Sequence, residues 1–194
     1  NYVPYSGYPQ QLPTASGQPL TVVIDACEPF AFRKLWGMSL LERNLRLVER
    51  LGASTIHVFV SSGDLPNAEK RRFPATTTPV YHAVTDPSRA FREMVGQIEG
   101  PVLFLEAVGL YDRRHIAQLW QTSQPAVGTQ GGQLLEALAL LFRPESINKA
   151  IGENRLDWRE VAQTCLLDPR EVHVDLESVE SRVSLLRKTV PPQV

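Results

Sequence analysis

The sequence has little cysteine, no excess of charge of either sign and no long hydrophobic run. Its two cysteines, Cys27 and Cys165, lie far apart. Such a pair forms neither a disulfide framework nor a metal cluster, and it indicates a reducing, cytoplasmic environment. The formal net charge is −1, so neither nucleic acid nor an anionic membrane is indicated as the main partner. No apolar run is long enough to span a bilayer.

The remaining composition is that of a globular α/β protein. Of the 194 residues, 43% are hydrophobic and 21% are charged, which is ordinary for one domain with a real core. Residues 1–19 are rich in proline and glycine and predict a flexible leader. We expect the folded domain to cover residues 20–188, with residues 189–194 as a linker. Since the sequence has no initiating Met, we expect it to be a piece of a longer protein.

A strand–helix–strand unit organises the first third of the chain. Residues 20–25 and 54–60 are β-branched apolar runs and predict two strands. Ser39 and Glu42 form the capping box that begins the helix between them. Gly52 stands where a left-handed C-cap belongs. The strands of such a unit are parallel, and the crossover is right-handed.

The rest of the chain continues the alternation of strands and helices. The apolar run 101–106 predicts a strand covered on both faces, and we expect it to lie beside 20–25 and 55–61 at the centre of the sheet. Asp86 and Pro87 begin a helix that Gly100 ends. The sequence predicts a three-layer α/β sandwich with a mixed, mostly parallel sheet. The other predicted elements are strands at 80–84 and 171–175, a loop at 123–133, and helices after Asp112 and at 144–153, 157–165 and 177–188. The apolar run 134–142 suits strand or helix, and its Glu136, alanine and leucine content favours helix.

The carboxyl ends of the strands are where α/β sheets bind ligands. The segment 26–38 leaves the first strand at that edge. Glu106 and Asp175 each end an apolar strand, so we expect their carboxylates to approach each other there. Two such groups repel unless they share a proton or a cation, and oxygen ligands suit Mg²⁺.

Other candidate residues do not build a rival site. His57, His82 and His173 lie at alternating positions of predicted strands, without a paired spacing such as H-x-x-x-H. They indicate partly buried or surface histidines more often than ligands. Trp36 could stack on a nucleobase, but packing over the end of the sheet is the favoured interpretation.

Three segments resemble the nucleotidyltransferase family with the glycosyltransferase-A-like, Rossmann-like fold, which includes sugar-phosphate and alditol-phosphate cytidylyltransferases. Gly37-Met-Ser-Leu-Leu-Glu-Arg43 resembles the family segment that opens its first helix. The run 101–108 resembles the metal-binding strand, and 172–179 resembles the late segment that supplies the second metal ligand. The end of the chain, Leu185-Leu-Arg-Lys188, is similar to the join in proteins where such a domain precedes a membrane-embedded CDP-alcohol phosphotransferase.

The resemblance implies a set of site residues for CTP or another nucleotide. The basic residues that would act in catalysis are Arg33 and Lys34. The residues that would bind substrate are Ala26, Trp36 and Gly37. The carboxylates that would hold Mg²⁺ are Glu106 and Asp175.

The chain departs from the family pattern where the phosphates should bind. The family loop after the first strand is glycine-rich, so that backbone amides approach the phosphates. Here no glycine precedes Gly37 in the loop, Pro29 lies within it, and Glu28 adds negative charge. Val108 stands where the family has a second metal-binding carboxylate.

Three interpretations therefore remain open. The favoured one is a degenerate domain, a pseudoenzyme that serves as a ligand-binding or regulatory module of a CDP-alcohol phosphotransferase fusion in phospholipid biosynthesis. Such a module would be cytoplasmic, tethered to the inner face of the membrane by the domain that follows it. The alternative is an active CTP-dependent cytidylyltransferase that acts on an alcohol or sugar phosphate. The third is an unrelated α/β binding domain.

Overall fold

One twisted sheet contains eight of the strands in the described part of the chain, in the order β10-β7-β9-β6-β1-β4-β5, with β8 paired to β7. The computed structural model describes residues 19–64 and 77–111, the helical residues Ile116 and Leu119, and four later strands. The strands of the first part are β1 (Leu20–Asp25), β2 (Lys34–Leu35), β3 (Met38–Ser39), β4 (Ala53–Val60), β5 (Val80–Ala83) and β6 (Val102–Glu106). The later strands are β7 (Ala126–Gln130), β8 (Gln133–Leu134), β9 (Ala139–Phe142) and β10 (Val172–Asp175). The helices with defined bounds are α1 (Leu40–Arg50) and α2 (Pro87–Val95).

The sheet is mixed and mostly parallel, as the sequence predicts. β1 pairs in parallel with both β4 and β6, β4 with β5, and β10 with β7. β9 runs antiparallel to β6 and β7. The three apolar strands β6, β1 and β4 are adjacent and central, which confirms their predicted placement.

Helices cover both faces of this centre and make three layers. On one face, Val22 and Leu103 pack in a buried cluster with Leu41, Leu45 and Val48 of α1. On the other face, the Phe91 ring of α2 meets the Phe104 ring edge to face, with 5.7 Å between centroids. Such an arrangement removes apolar surface from water on both sides of the central strands.

The predicted helix ends are confirmed with two adjustments. The Ser39 hydroxyl accepts the Glu42 amide at 3.1 Å, and Gly52 has a φ of 87°. The first adjustment concerns the capping box, in which Glu42 was expected to reach back to the Ser39 amide. The Glu42 carboxylate pairs with Arg46 at 2.7 Å. Asp86 caps α2 as expected, but α2 ends at Val95, earlier than Gly100.

Two predictions in the second half of the chain are wrong. The segment 134–142, predicted as a helix, contributes the end of β8 and all of β9. β9 pairs with β6, so the requirement of a central strand for a hydrogen-bonding neighbour overrides helix propensity. The predicted loop 123–133 contains β7. The leader and the predicted helices at 144–153, 157–165 and 177–188 lie outside the described residues.

Candidate functional site

Two carboxylate residues stand side by side where the central strands end. Asp25 ends β1 and Glu106 ends β6, and the parallel register pairs them directly. The Ala107 amide continues the pairing by donating to the Asp25 carbonyl at 2.7 Å. Neighbouring strands are about 4.8 Å apart. The two side chains therefore begin one strand spacing from each other, at the edge where α/β sheets bind ligands.

The environment of Asp25 disfavours its negative charge. Burial raises the pKa of this carboxyl, and the Cys27 amide, which donates to Oδ1 at 3.0 Å, opposes that rise in part. The Cys27 thiol beside it also has its pKa raised, chiefly by burial and then by the charge of Asp25. A bound cation would reverse the penalty on the Asp25 carboxylate.

Long-range contacts hold the turn that follows β6. Asn44 of α1 is buried, and its Nδ2 donates to the carbonyls of Ala107 at 2.9 Å and Gly109 at 3.1 Å. The Tyr111 hydroxyl donates to the Glu106 carbonyl at 2.8 Å. Burial, followed by the Glu106 charge, raises the pKa of Tyr111 well above its ordinary value. A Cβ at Gly109 would overlap the Tyr111 ring, so only glycine permits this packing.

The turn that follows β1 is closed by its own backbone. Residues 29–32 form a short 3-10 helix, and the Ala31 side chain is fully buried. Four amides of this turn already donate within the protein. The Ala26 amide donates to the Phe59 carbonyl at 2.8 Å, the Cys27 amide to the Asp25 carboxylate at 3.0 Å, the Ala31 amide to the Glu28 carbonyl at 3.0 Å, and the Arg33 amide to the Phe30 carbonyl at 3.0 Å.

The predicted basic and substrate-binding residues lie on this turn and on the β2–β3 hairpin. The Arg33 guanidinium lies 5.5 Å from the centre of the Phe30 ring, and Lys34 is exposed on β2. Ala26 is fully buried. Their roles in catalysis and binding stay predictions.

The hairpin turn consists of Trp36 and Gly37, with φ of 51° and 80°, the geometry that suits a two-residue hairpin. The Trp36 side chain is 78% exposed. The prediction that it packs over the sheet end is therefore wrong. Its indole lies over the Arg43 guanidinium at 5.5 Å, because the left-handed turn directs it away from the core.

The predicted metal residue Asp175 lies at the same edge as Glu106 but not beside it. β7 and β9 separate β10 from β6. Successive strand pairs place Val172 level with Leu103. Three residues further along each strand, Asp175 is therefore level with Glu106. Three strand spacings amount to about 14 Å between these backbones. A shared metal between Glu106 and Asp175 stays a prediction.

The donor set at the edge fits a divalent cation only in part. The described residues bring together two carboxylates, and no group of three or more acidic, histidine or cysteine side chains lies close enough to hold a metal among them. Asp25 and Glu106 supply the oxygen donors that Mg²⁺ and Mn²⁺ prefer. Val108 is 5% exposed and apolar and cannot add a third.

Two of the histidines, on the neighbouring strands β4 and β5, form a pair with each other. His57 Nδ1 lies 3.0 Å from His82 Nε2, and the His82 ring also meets Phe59 edge to face. Burial lowers the pKa of both rings. This agrees with their interpretation as partly buried structural histidines; His173 lies on β10, in backbone pairing with Val127.

Sequence reasoning missed three residues of the site. Asp25 ends an apolar strand just as Glu106 does, and the same argument could have found it. Asn44 and Tyr111 carry no such signal, because Asn44 is 63 positions from Ala107 in the chain. Their contacts with the β6 turn depend on how α1 packs against the sheet.

Known proteins share this fold at low sequence identity. No protein-family profile and no curated sequence matches the chain. The 4-diphosphocytidyl-2C-methyl-D-erythritol synthase of Anaerococcus prevotii superposes with a TM-score of 0.61 at 12% identity, over 90% of this chain and 97% of the synthase. The inositol-1-phosphate CTP transferase of T. maritima gives 0.60 at 10% identity, over 88% and 97%. Rv0371c of Mycobacterium tuberculosis in complex with manganese gives 0.64 at 10%, over 89% and 100%.

These likenesses establish the class of fold. The chain has the α/β nucleotidyltransferase-like fold, with a mostly parallel central sheet and helices on both faces. The cytidylyltransferases named above share that fold. At such identities the likeness carries the fold alone, so the activity has to be argued from the site.

Proposed function

We propose that this domain is a degenerate nucleotidyltransferase-like module that binds a ligand or regulates a partner domain without transferring nucleotides. The observation that carries the proposal is the closed turn after β1. Four of its amides donate within the protein, and Pro29 has no amide hydrogen. A phosphate cradle needs several backbone amides that point outward together. This turn would have to break hydrogen bonds and unpack Ala31 to offer them.

The charges around the turn add to this argument. Glu28 is exposed beside the site, and its carboxylate would repel a triphosphate. Nucleotidyl transfer depends on positioned positive charge and preorganised donors. Arg33 and Lys34 are long, flexible side chains, which replace a preorganised cradle poorly.

A second candidate function is an active cytidylyltransferase. The pairing of Asp25 with Glu106 favours it, because these carboxylates could hold a divalent cation. A cation there would neutralise phosphate charge during attack. The manganese complex of Rv0371c shows that a protein of this fold binds such a metal.

Titration with CTP and Mg²⁺, together with pyrophosphate release, separates the two functions. The substrates would be several alcohol phosphates and sugar phosphates, and the inositol-1-phosphate CTP transferase of T. maritima would be the positive control. The degenerate function predicts no turnover and CTP binding no tighter than roughly millimolar, which corresponds to about −4 kcal/mol. Micromolar CTP binding with steady turnover, abolished by Asp175→Ala or Glu106→Gln, would establish the active enzyme.

We also propose that the module works beside a membrane CDP-alcohol phosphotransferase domain in the same polypeptide. The similarity of Leu185–Lys188 to the join in such fusions supports this. Within the described residues, no helix is both long and apolar enough to cross a bilayer. Reading the coding sequence beyond residue 194 tests the fusion: several hydrophobic spans with the motif D-G-x-x-A-R…G-x-x-x-D-x-x-x-D would support it, and their absence would contradict it.

A further inference from the structure

A cavity lies between α1 and the segment that follows β6. Its volume is about 340 Å³. Arg43, Arg46 and Arg50 line it from α1, and Leu110 and Tyr111 line it from the other side. Met38 of β3, in the segment 26–38 that follows β1, also lines it. Among the described residues, neither Asp25 nor Glu106 lines this cavity, so it is distinct from the pair of carboxylates at the edge of the sheet.

The three arginines share one face of α1, since positions separated by three and four residues lie above one another on a helix. Such a stripe is most often a solvated surface. Arg46 fits that interpretation, because its Nε and Nη2 donate to the Glu42 carboxylate at 3.1 and 2.7 Å. Its charge is already compensated by Glu42.

Arg43 does not fit the interpretation as a solvated surface. Its Nη2 donates to the Leu35 carbonyl at 2.6 Å, but its Nε is buried and has no acceptor among the described residues. A buried donor of a charged group that lacks a partner is costly. Arg50 is exposed at the end of α1. In the described part of the chain, neither Arg43 nor Arg50 has a carboxylate partner.

We propose that this cavity binds a compact phosphomonoester, whose phosphate is held by Arg43 and Arg50. Two guanidinium groups that have no carboxylate partner among the described residues match the two negative charges of a phosphate monoester, and guanidinium donors suit phosphate oxygens. The volume lies at the small end of the range for small-molecule sites. Leu47 and Leu110 supply apolar wall for the carbon skeleton of the ligand.

Two side chains that line the cavity also support the turn after β6. Asn44 and Tyr111 line the cavity, and the same two side chains hold the carbonyls of Glu106, Ala107 and Gly109. The bound phosphomonoester therefore contacts the side chains that position the Glu106 turn. This binding site does not depend on whether the edge of the sheet transfers nucleotides.

Arginine Nε–H NMR resonances of the whole chain test the site, with inorganic phosphate and then methyl phosphate as probes. Chloride holds the ionic strength constant, and neither CTP nor a divalent cation is present. The Arg43 Nε–H resonance should shift and saturate as phosphate binds the same guanidinium group. Arg50→Gln should weaken binding about tenfold, the effect of losing one charge-assisted hydrogen bond. Arg50 is exposed, so this variant should keep its fold.

A matched control variant makes the result decisive. Arg89→Gln removes an exposed arginine of α2 that pairs with Glu93, and it should leave phosphate binding unchanged. An Arg43 resonance that does not move, or equal weakening by Arg50→Gln and Arg89→Gln, would overturn the proposal.

Discussion

The turns after β1 and β6 lie side by side at one edge of the sheet, but different contacts hold them. The turn after β1 is held locally, by hydrogen bonds such as those of the Ala31 amide to Glu28 and the Arg33 amide to Phe30. The turn after β6 also has local bonds, from the Gly109 amide and the Tyr111 hydroxyl to the Glu106 carbonyl, but Asn44 of α1 holds it from a distance as well. A turn whose backbone amides already donate within the protein offers few hydrogen-bond donors to a ligand. A turn that side chains support from its inner side keeps its outward surface available to a ligand.

The largest effect is expected from removing the distant support of the β6 turn. Asn44→Ala leaves the carbonyls of Ala107 and Gly109 buried without their donor. We expect the free energy of unfolding to fall by about 3 kcal/mol, since each unsatisfied buried group costs about 1–3 kcal/mol. Urea denaturation measures it.

The matched control for this change is Arg46→Gln on the same helix. It breaks a surface pair with Glu42, and such pairs contribute about 0.5 kcal/mol or less. If Asn44→Ala costs no more than Arg46→Gln, the turn after β6 does not depend on α1, and the comparison between the two turns fails.

A smaller effect is expected from disturbing the packing of Tyr111. Gly109→Ala places a methyl group inside the Tyr111 ring, so the ring must move and its hydroxyl must leave the Glu106 carbonyl. We expect a loss of about 2 kcal/mol in unfolding free energy, typical of overpacking. The pKa of Tyr111, followed by NMR, should fall toward its ordinary value.

Gly96→Ala is the control for Gly109→Ala. Gly96 has a φ of −61°, which any residue adopts, and the nearest atom to an added Cβ lies at 3.9 Å. Alanine there should be neutral or stabilising by up to about 1 kcal/mol, because it restricts the unfolded chain. Equal losses at the two glycines would show that the Tyr111 ring does not require Gly109.

The contrast between the turns also explains how far sequence reasoning reaches. The strand–helix–strand unit, its caps at Ser39 and Gly52, and the central position of β6 follow from local patterns. The missing glycines and Pro29 after β1 are also visible in the sequence, but the 3-10 helix that closes this turn was not predicted. β9 was missed because its apolar run suits a helix equally well, and only its pairing with β6 decides.

The candidate site was also predictable only where local sequence patterns indicate it. Glu106 could be placed at the edge because it ends an apolar strand. Asn44 could not be assigned to the Glu106 turn, since nothing in a helical asparagine indicates carbonyls 63 and 65 positions away. The level of Asp175 relative to Glu106 depends on the order of the strands between them, which local patterns do not specify.

A third change tests whether the pair of carboxylates costs stability in the absence of a metal. Burial raises the pKa of Asp25, so the folded protein holds this proton more tightly than the unfolded chain does. The stabilising contribution is complete below the ordinary pKa of about 3.8 and is lost as pH rises through the folded pKa. Asp25→Asn should therefore raise the unfolding free energy at pH 7.

The advantage of Asp25→Asn should shrink as pH falls through the raised pKa of the folded protein, and it should vanish below about 3.8, where the wild-type carboxyl is neutral in the folded and the unfolded states. Urea denaturation of both proteins between pH 3.5 and 7 measures the difference. Added Mg²⁺ or Mn²⁺ should stabilise the wild type more than the variant if the two carboxylates hold a cation. A constant difference between the proteins across this pH range would contradict the raised pKa.

The smallest effect concerns the Cys27 thiol, which belongs to the closed turn. Its pKa is raised chiefly by burial and second by the charge of Asp25. Because only the thiolate reacts, Cys27 should be alkylated by iodoacetamide at pH 8.5 far more slowly than an ordinary thiol. Asp25→Asn removes the charge but not the burial, so it should accelerate the reaction only modestly. Peptide mapping by mass spectrometry separates Cys27 from Cys165. Rapid alkylation of wild-type Cys27 would show that the turn after β1 opens readily, and it would remove the distinction between the two turns.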